Sequence, residues 1–147
     1  MFSKACEYSI RACIVIAQNS LHDKRVSLKE IADAIDSPEA FTAKILQRLV
    51  RHKIIFSTQG PQGGFQIKNS KLKKITLEKI IQAIDGEEKY DTCVLGLTNC
   101  SEENPCPAHK KYKSIKKELK NMLRTTSVLE MVEDIEKGKA FLKSKCE

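Results

Sequence analysis

The chain has 147 residues, 31% of them charged and 5% aromatic, with no tryptophan and a net charge of +7. That length suits one compact domain, or a small domain with an oligomerising arm, and the composition predicts a mainly helical protein. No apolar run approaches the roughly 18 residues of a membrane span, and Lys4, Glu7 and Arg11 interrupt any signal-peptide core. The expected location is cytoplasmic, with no membrane partner. In that reducing compartment the six cysteines read as metal ligands or free thiols before they read as disulfides.

The charge is uneven. Residues 1–85 carry 14 Lys/Arg against 8 Asp/Glu, and residues 86–147 carry 12 against 11. A basic N-terminal unit attracts phosphate, because neutralising a nucleic-acid backbone releases counterions.

Apolar spacing at Tyr8, Ala12, Val15 and Ile16 predicts a first helix over residues 3–17. After a turn at His22, Asp23 and Lys24, Ser27 and Glu30 form a capping box for a short second helix that turns Leu28, Ile31, Ala32 and Ile35 inward. Ser37 is expected to cap a third helix with Pro38 in its first position and Phe41, Ile45, Leu46 and Leu49 inward. Two short helices joined by so tight a turn form a helix-turn-helix, with residues 37–50 as the recognition helix. Glu39, Ala40, Thr42, Ala43 and Lys44 are candidates to face base edges, and Lys4, Arg48, Arg51, Lys53 and Lys68 to meet phosphates.

Ile54, Ile55 and Phe56 read as an apolar strand, and Phe65, Gln66 and Ile67 as its return. Between them Gln59, Gly60, Pro61, Gln62, Gly63 and Gly64 supply a tip able to take positive φ. A hairpin directly after a recognition helix on a basic unit reads as a wing, so Gln59, Gly60, Gly63 and Gly64 join the candidate DNA contacts.

Residues 77–86 lead into a polar loop with Cys93, Cys100 and Cys106, followed by His109. Thiolates six or seven residues apart can converge on one centre, and they select iron–sulfur clusters, zinc or cuprous ions over hard cations. Three thiolates leave the last position to His109, to a carboxylate or imidazole elsewhere, or to a ligand from outside the chain. Cys6, Cys13 and Cys146 are expected to pack or stay free. Beyond the loop, residues 110–124 place Tyr112, Ile115, Leu119, Met122 and Leu123 in one apolar stripe on a lysine-rich helix. A small winged domain cannot cover so long a stripe, which predicts a homodimer. Ser127 and Glu130 cap a further helix to about Ile135.

The expected fold is thus mainly α: a winged helix-turn-helix domain with a small β-hairpin wing over residues 1–86, a cysteine-rich cluster-binding loop over 87–109, dimerisation helices over 110–136 and a mobile tail over 137–147. No paired acid–base constellation or second cofactor motif suggests an enzyme.

The segments SKACEYSIRA, SLKEIADAI, AKILQRLVRHKII, QGPQGGFQI and LEKIIQAIDG, with the three-cysteine loop after them, resemble the Rrf-two family of bacterial regulators, of the IscR/NsrR type, along nearly the whole chain. The resemblance implies a homodimeric transcription factor on double-stranded operator DNA whose iron–sulfur cluster controls DNA affinity or site choice, with a small-molecule signal such as nitric oxide. It also implies His109 or Glu7 as the fourth ligand. A two-iron cluster is favoured over a four-iron one. The alternatives are a zinc-stabilised Cys3His protein and an apo thiol-based regulator of the same fold. Two departures stand out. Gln59 replaces the arginine with which the family wing usually begins, so a narrow A·T minor groove should be read less strongly. The gap from Cys93 to Cys100 is one residue longer than the common family spacing, an insertion that Gly96 makes easy to absorb.

Overall fold

The computed structural model describes residues 2–86 and 91–143. Six α-helices and one hairpin follow in the order α1 (Lys4–Leu21), α2 (Leu28–Ala34), α3 (Glu39–Arg51), β1 (Phe56–Thr58), β2 (Gly64–Gln66), α4 (Leu77–Asp85), α5 (His109–Thr125) and α6 (Val128–Glu136). A single 3-10 turn, Asn69–Lys71, precedes α4.

Helix α1 is the axis of the fold and runs about one turn beyond the expected end. Ser3 caps it, its Oγ accepting from the Cys6 N–H at 3.0 Å. Cys6, Ala12, Cys13, Ile16 and Ala17 are fully buried, because α1 packs against α2, α3, α4 and α6 on several sides. Cys6 and Cys13 therefore serve as small apolar side chains of the core, while Cys146 lies outside the described residues. The α2 capping box forms as its sequence demands, with Ser27 and Glu30 satisfying each other's backbone N–H groups.

Helix α3 starts one residue later than expected. Pro38 occupies the cap position with extended ψ, and Ser37 makes no capping bond; its Oγ is buried without a partner. Ile45, Leu46 and Leu49 fill the core, and Phe41 packs edge-on against Tyr8 of α1 at 5.6 Å between ring centres.

The hairpin is also displaced from the expected register. Ile54 and Ile55 do not pair as strand residues; they are buried anchors at the end of α3, and the ladder begins at Phe56, which pairs with Gln66. A third edge is added by Val26, which exchanges two backbone hydrogen bonds with Phe65 (3.1 and 2.8 Å). Gly63 and Gly64 are required by this packing. A Cβ on Gly63 would lie 2.1 Å from the Thr58 carbonyl oxygen, and one on Gly64 2.7 Å from that of Val26 at φ +140°.

The expected boundary at residue 110 does not separate two units. Helix α6 packs on α1, with Val128 and Val132 at 0% exposure, each contributing roughly 1.5–3 kcal/mol by burial. Antiparallel pairing of Thr76 with Ser127 ties its start to the start of α4. The segment after α6 is anchored as far as it is described: Leu142 packs against the core and Lys143 pairs with Asp36 at 3.1 Å. Residues 144–147 of the expected mobile tail lie outside the described residues. Among the described residues no helix is long and apolar enough to cross a membrane.

Candidate metal centre and nucleic-acid interface

The cysteine loop is pinned to α5 at both ends. At its start, Asp91 accepts from Lys120 (2.8 Å) and Lys116 (3.4 Å), and these cations, Lys120 foremost, hold its carboxyl below the usual range. At its end, the chain runs directly into the first turn of α5 at His109. Closure of this loop brings the Sγ atoms of Cys93, Cys100 and Cys106 to within 4.8 Å of one another. Cys93 Sγ lies 3.6 Å from Cys106 Sγ, and Cys100 Sγ lies 3.2 Å from His109 Nδ1.

The loop backbone favours negative charge on the sulfurs. Leu97 and Leu95 N–H groups, then the neighbouring thiols of Cys106 and Cys100, draw Cys93 down to about 7 against the effect of burial. Cys100 receives the Cys106 N–H at 3.4 Å; burial and the adjacent sulfurs outweigh that bond and raise its pKa. The surrounding cavity, about 180 Å³, is also lined by Glu102, Tyr112, Lys113 and Lys116, with the Lys113 ammonium on Glu102 and that of Lys116 on Asp91.

His109 presents Nδ1 to Cys100 and leaves Nε2 buried without an aligned hydrogen bond, 3.4 Å from Glu102 Oε1. A ligating Nδ1 would leave Nε2–H to donate to that carboxylate, the outer partner that metal-bound histidines ordinarily have. Lys113, and next His109, hold the Glu102 carboxyl below its usual range. Glu7, the other candidate ligand, pairs instead with Lys4 at 3.2 Å on the first turn of α1 and does not line the cysteine cavity.

The end of α4 is a junction between three helices. Asp85, the last residue of α4, accepts from the Ser3 N–H (3.2 Å) and Ser3 Oγ at the start of α1. One residue earlier, the Ile84 carbonyl accepts from the Arg48 guanidinium on α3. This engages one nitrogen of the Arg48 guanidinium within the fold, at the negative end of the α4 dipole. Near this junction, burial and then Asp85 push Cys6 up to about 12, and burial does the same to Cys13.

On the outer face of α3, Ala40, Lys44, Gln47 and Arg51 form an exposed stripe, with Glu39 exposed and Ala43 half-buried beside it. Thr42 does not belong to that face: it is fully buried and its hydroxyl donates to the Pro38 carbonyl at 2.8 Å. Gln47 was missed in the sequence, although its position three residues after Lys44 and four after Ala43 marks it. On the hairpin Gln59 and Gly60 are exposed, and the Lys68 ammonium stacks 4.8 Å from the Phe56 ring centre. Lys53, at the end of α3, is exposed in a left-handed conformation (φ 60°).

A family model, Rrf2, described as "Iron-dependent Transcriptional regulator", matches residues 2–134. The chain belongs to the Rrf2 family. A protein of Aquifex aeolicus, provisionally named HTH-type transcriptional regulator, is 31% identical over 139 residues, spanning 93% of this chain and 94% of that one. Among solved structures, CymR (YrzC), the global cysteine regulator of B. subtilis, superposes with a TM-score of 0.74 at 20% identity, over 90% of this chain and 96% of that chain. T. potens IscR gives 0.71 at 22% identity, over 97% and 93%. These likenesses establish a winged-helix Rrf2 fold, in which the β1–β2 hairpin is the wing.

In this Rrf2 member the long α5 has only part of its stripe free. Leu123 is buried in its own core at 1% exposure, which corrects its expected place in a dimer contact. Tyr112 and Leu119 are half-buried. Ile115 and Met122, seven residues apart on one face, are 60% and 48% exposed.

Proposed function

We propose that this protein is a dimeric transcriptional regulator that binds operator DNA through α3 and the wing, under control of an iron–sulfur cluster held by Cys93, Cys100, Cys106 and His109. The observation that carries this reading is the convergence of three thiols and one imidazole on the loop that follows α4 in the chain, the helix whose end grips both α1 and α3. The family's description as iron-dependent regulators supports iron. The donors fall into two close pairs, Cys93 with Cys106 and Cys100 with His109, which matches a two-iron cluster with two protein ligands on each iron better than a four-iron cluster with one. When bound, such a cluster supplies a redox- and nitric-oxide-sensitive centre that responds to its surroundings.

The chain's own residues then relay the signal. A shift of the loop displaces the Ile84–Asp85 end of α4, and with it Arg48 on α3 and Ser3 on α1. Two copies would pair through Ile115 and Met122 of α5, which sets two recognition helices toward successive major grooves. A zinc site is the second reading, favoured by one observation: a tetrahedral ion with metal–sulfur bonds of about 2.3 Å wants sulfurs about 3.8 Å apart, close to the 3.6 Å between Cys93 and Cys106.

Anaerobic purification tests both. Visible absorption with iron and acid-labile sulfide, and a DNA affinity that changes when nitric oxide is added, are expected. A colourless protein with stoichiometric zinc and an unchanged affinity would refute the cluster.

A further inference from the structure

Between α3 and the wing lies a groove of about 360 Å³ that the cluster mechanism does not use. Leu28, Val50 and Phe65, all half-buried, give it an apolar lining, and Gln47 and Gln59, both exposed, bring a carboxamide from each side. Ala43 and Ser57 complete it, so every side chain around the groove is neutral.

That chemistry is selective among base pairs. Guanine in the major groove offers two acceptors and calls for the paired donors of arginine or lysine, neither of which lines this groove. Adenine offers an acceptor at N7 beside a donor at N6, the complement of one glutamine carboxamide, and its thymine partner offers a methyl group that wants an apolar surface. Gln47 lies on the same exposed stripe as Ala40, Lys44 and Arg51, the face that the operator-binding reading turns toward the major groove. Resting on the operator-binding reading above, we propose that this groove reads an A·T base pair in each half-site, with Gln47 on the adenine edge and the thymine methyl against the apolar lining. Specificity at this point then comes from hydrogen bonding and a methyl contact, without added charge.

The test is selection of duplexes from a randomised pool by the full-length protein and by Gln47→Ala, followed by affinity measurements on the selected site. The parent should select an A·T pair in each half-site. Gln47→Ala should lose roughly tenfold in preference at that pair alone, the scale of one bidentate base contact. Replacing that adenine by 7-deazaadenine, which removes the N7 acceptor and keeps the N6 donor, should weaken the parent by part of that amount and leave Gln47→Ala unaffected, since the variant has already lost the N7 bond. Gln47→Glu, which keeps the acceptors and loses the donor, should move the preference toward cytosine, whose N4 donates. Equal weakening of all sequences by Gln47→Ala, or a 7-deazaadenine effect that persists in the variant, overturns the inference and leaves operator binding standing. A parent that selects no sequence overturns operator reading and inference together.

Discussion

Arg48→Met separates a structural arginine from a phosphate-binding one. Arg48 is half-buried and donates to the Ile84 carbonyl at the C-terminal end of α4. A hydrogen bond from a charged donor is worth roughly 1.5–3 kcal/mol, and partial exposure places this one at the lower end. Methionine keeps the aliphatic stem, so packing loss is small and the expected cost is about 1.5 kcal/mol. At roughly 4 °C per kcal/mol for a chain of this size, Tm should fall by about 6 °C in calorimetry. The dependence of DNA affinity on salt should not change. Each phosphate contact adds about 0.9 to the slope of log K against log salt, so exposed Arg51→Ala should flatten the slope by about 0.9 per subunit while leaving Tm nearly unaltered. If Arg48→Met flattens the slope as Arg51→Ala does and melts with the parent, Arg48 is a phosphate contact and the α3–α4 link is wrong.

Gly63→Val would force a side chain onto the Thr58 carbonyl, 2.1 Å from the Cβ position; the wing should distort and DNA affinity fall at least tenfold, while sedimentation still reports the parent's oligomeric state. Alanine at Cys93, Cys100 or Cys106 should abolish or destabilise the visible chromophore, and His109→Ala should shift its spectrum where Glu7→Ala does not; an unchanged His109→Ala spectrum would remove that ligand. Ile115→Asp with Met122→Asp places charge on the exposed α5 face, and light scattering should then give a monomer. Cys6 and Cys13 have pKa values raised to about 12 in the folded chain against about 8.5 for a free thiol. The unfolded state thus binds fewer protons in that interval, so stability is fully present below pH 8.5 and declines as pH climbs toward 12. Cys13→Ala should make that decline shallower in denaturant titrations at successive pH values.

What the sequence determined by itself was set by near neighbours. Ser27 with Glu30, Ser127 with Glu130 and Thr76 with Lys79 make capping contacts three residues apart, so each helix start is a local matter of orphan N–H groups. The glycine-rich tip announced a hairpin for the same reason, and three cysteines on one short loop between helices had little room to diverge. What depended on non-local packing was not legible. Periodicity shows that α3 has an inner and an outer face but leaves its rotation about its own axis open, and a modest rotation buries Thr42, turns Arg48 to the Ile84 carbonyl and exposes Gln47. Ile54 and Ile55 carry strand-forming side chains, yet as anchors at the end of α3 they delay the ladder to Phe56, and Val26 becomes a third edge only because the α1–α2 turn folds back on the wing. Leu123 belongs to the apolar stripe of α5 whichever surface covers it. Only the packing of α5 against α4 assigns it to its own core and leaves Ile115 and Met122 outside, because burial is a property of what surrounds a side chain and distant parts of the chain supply those surroundings.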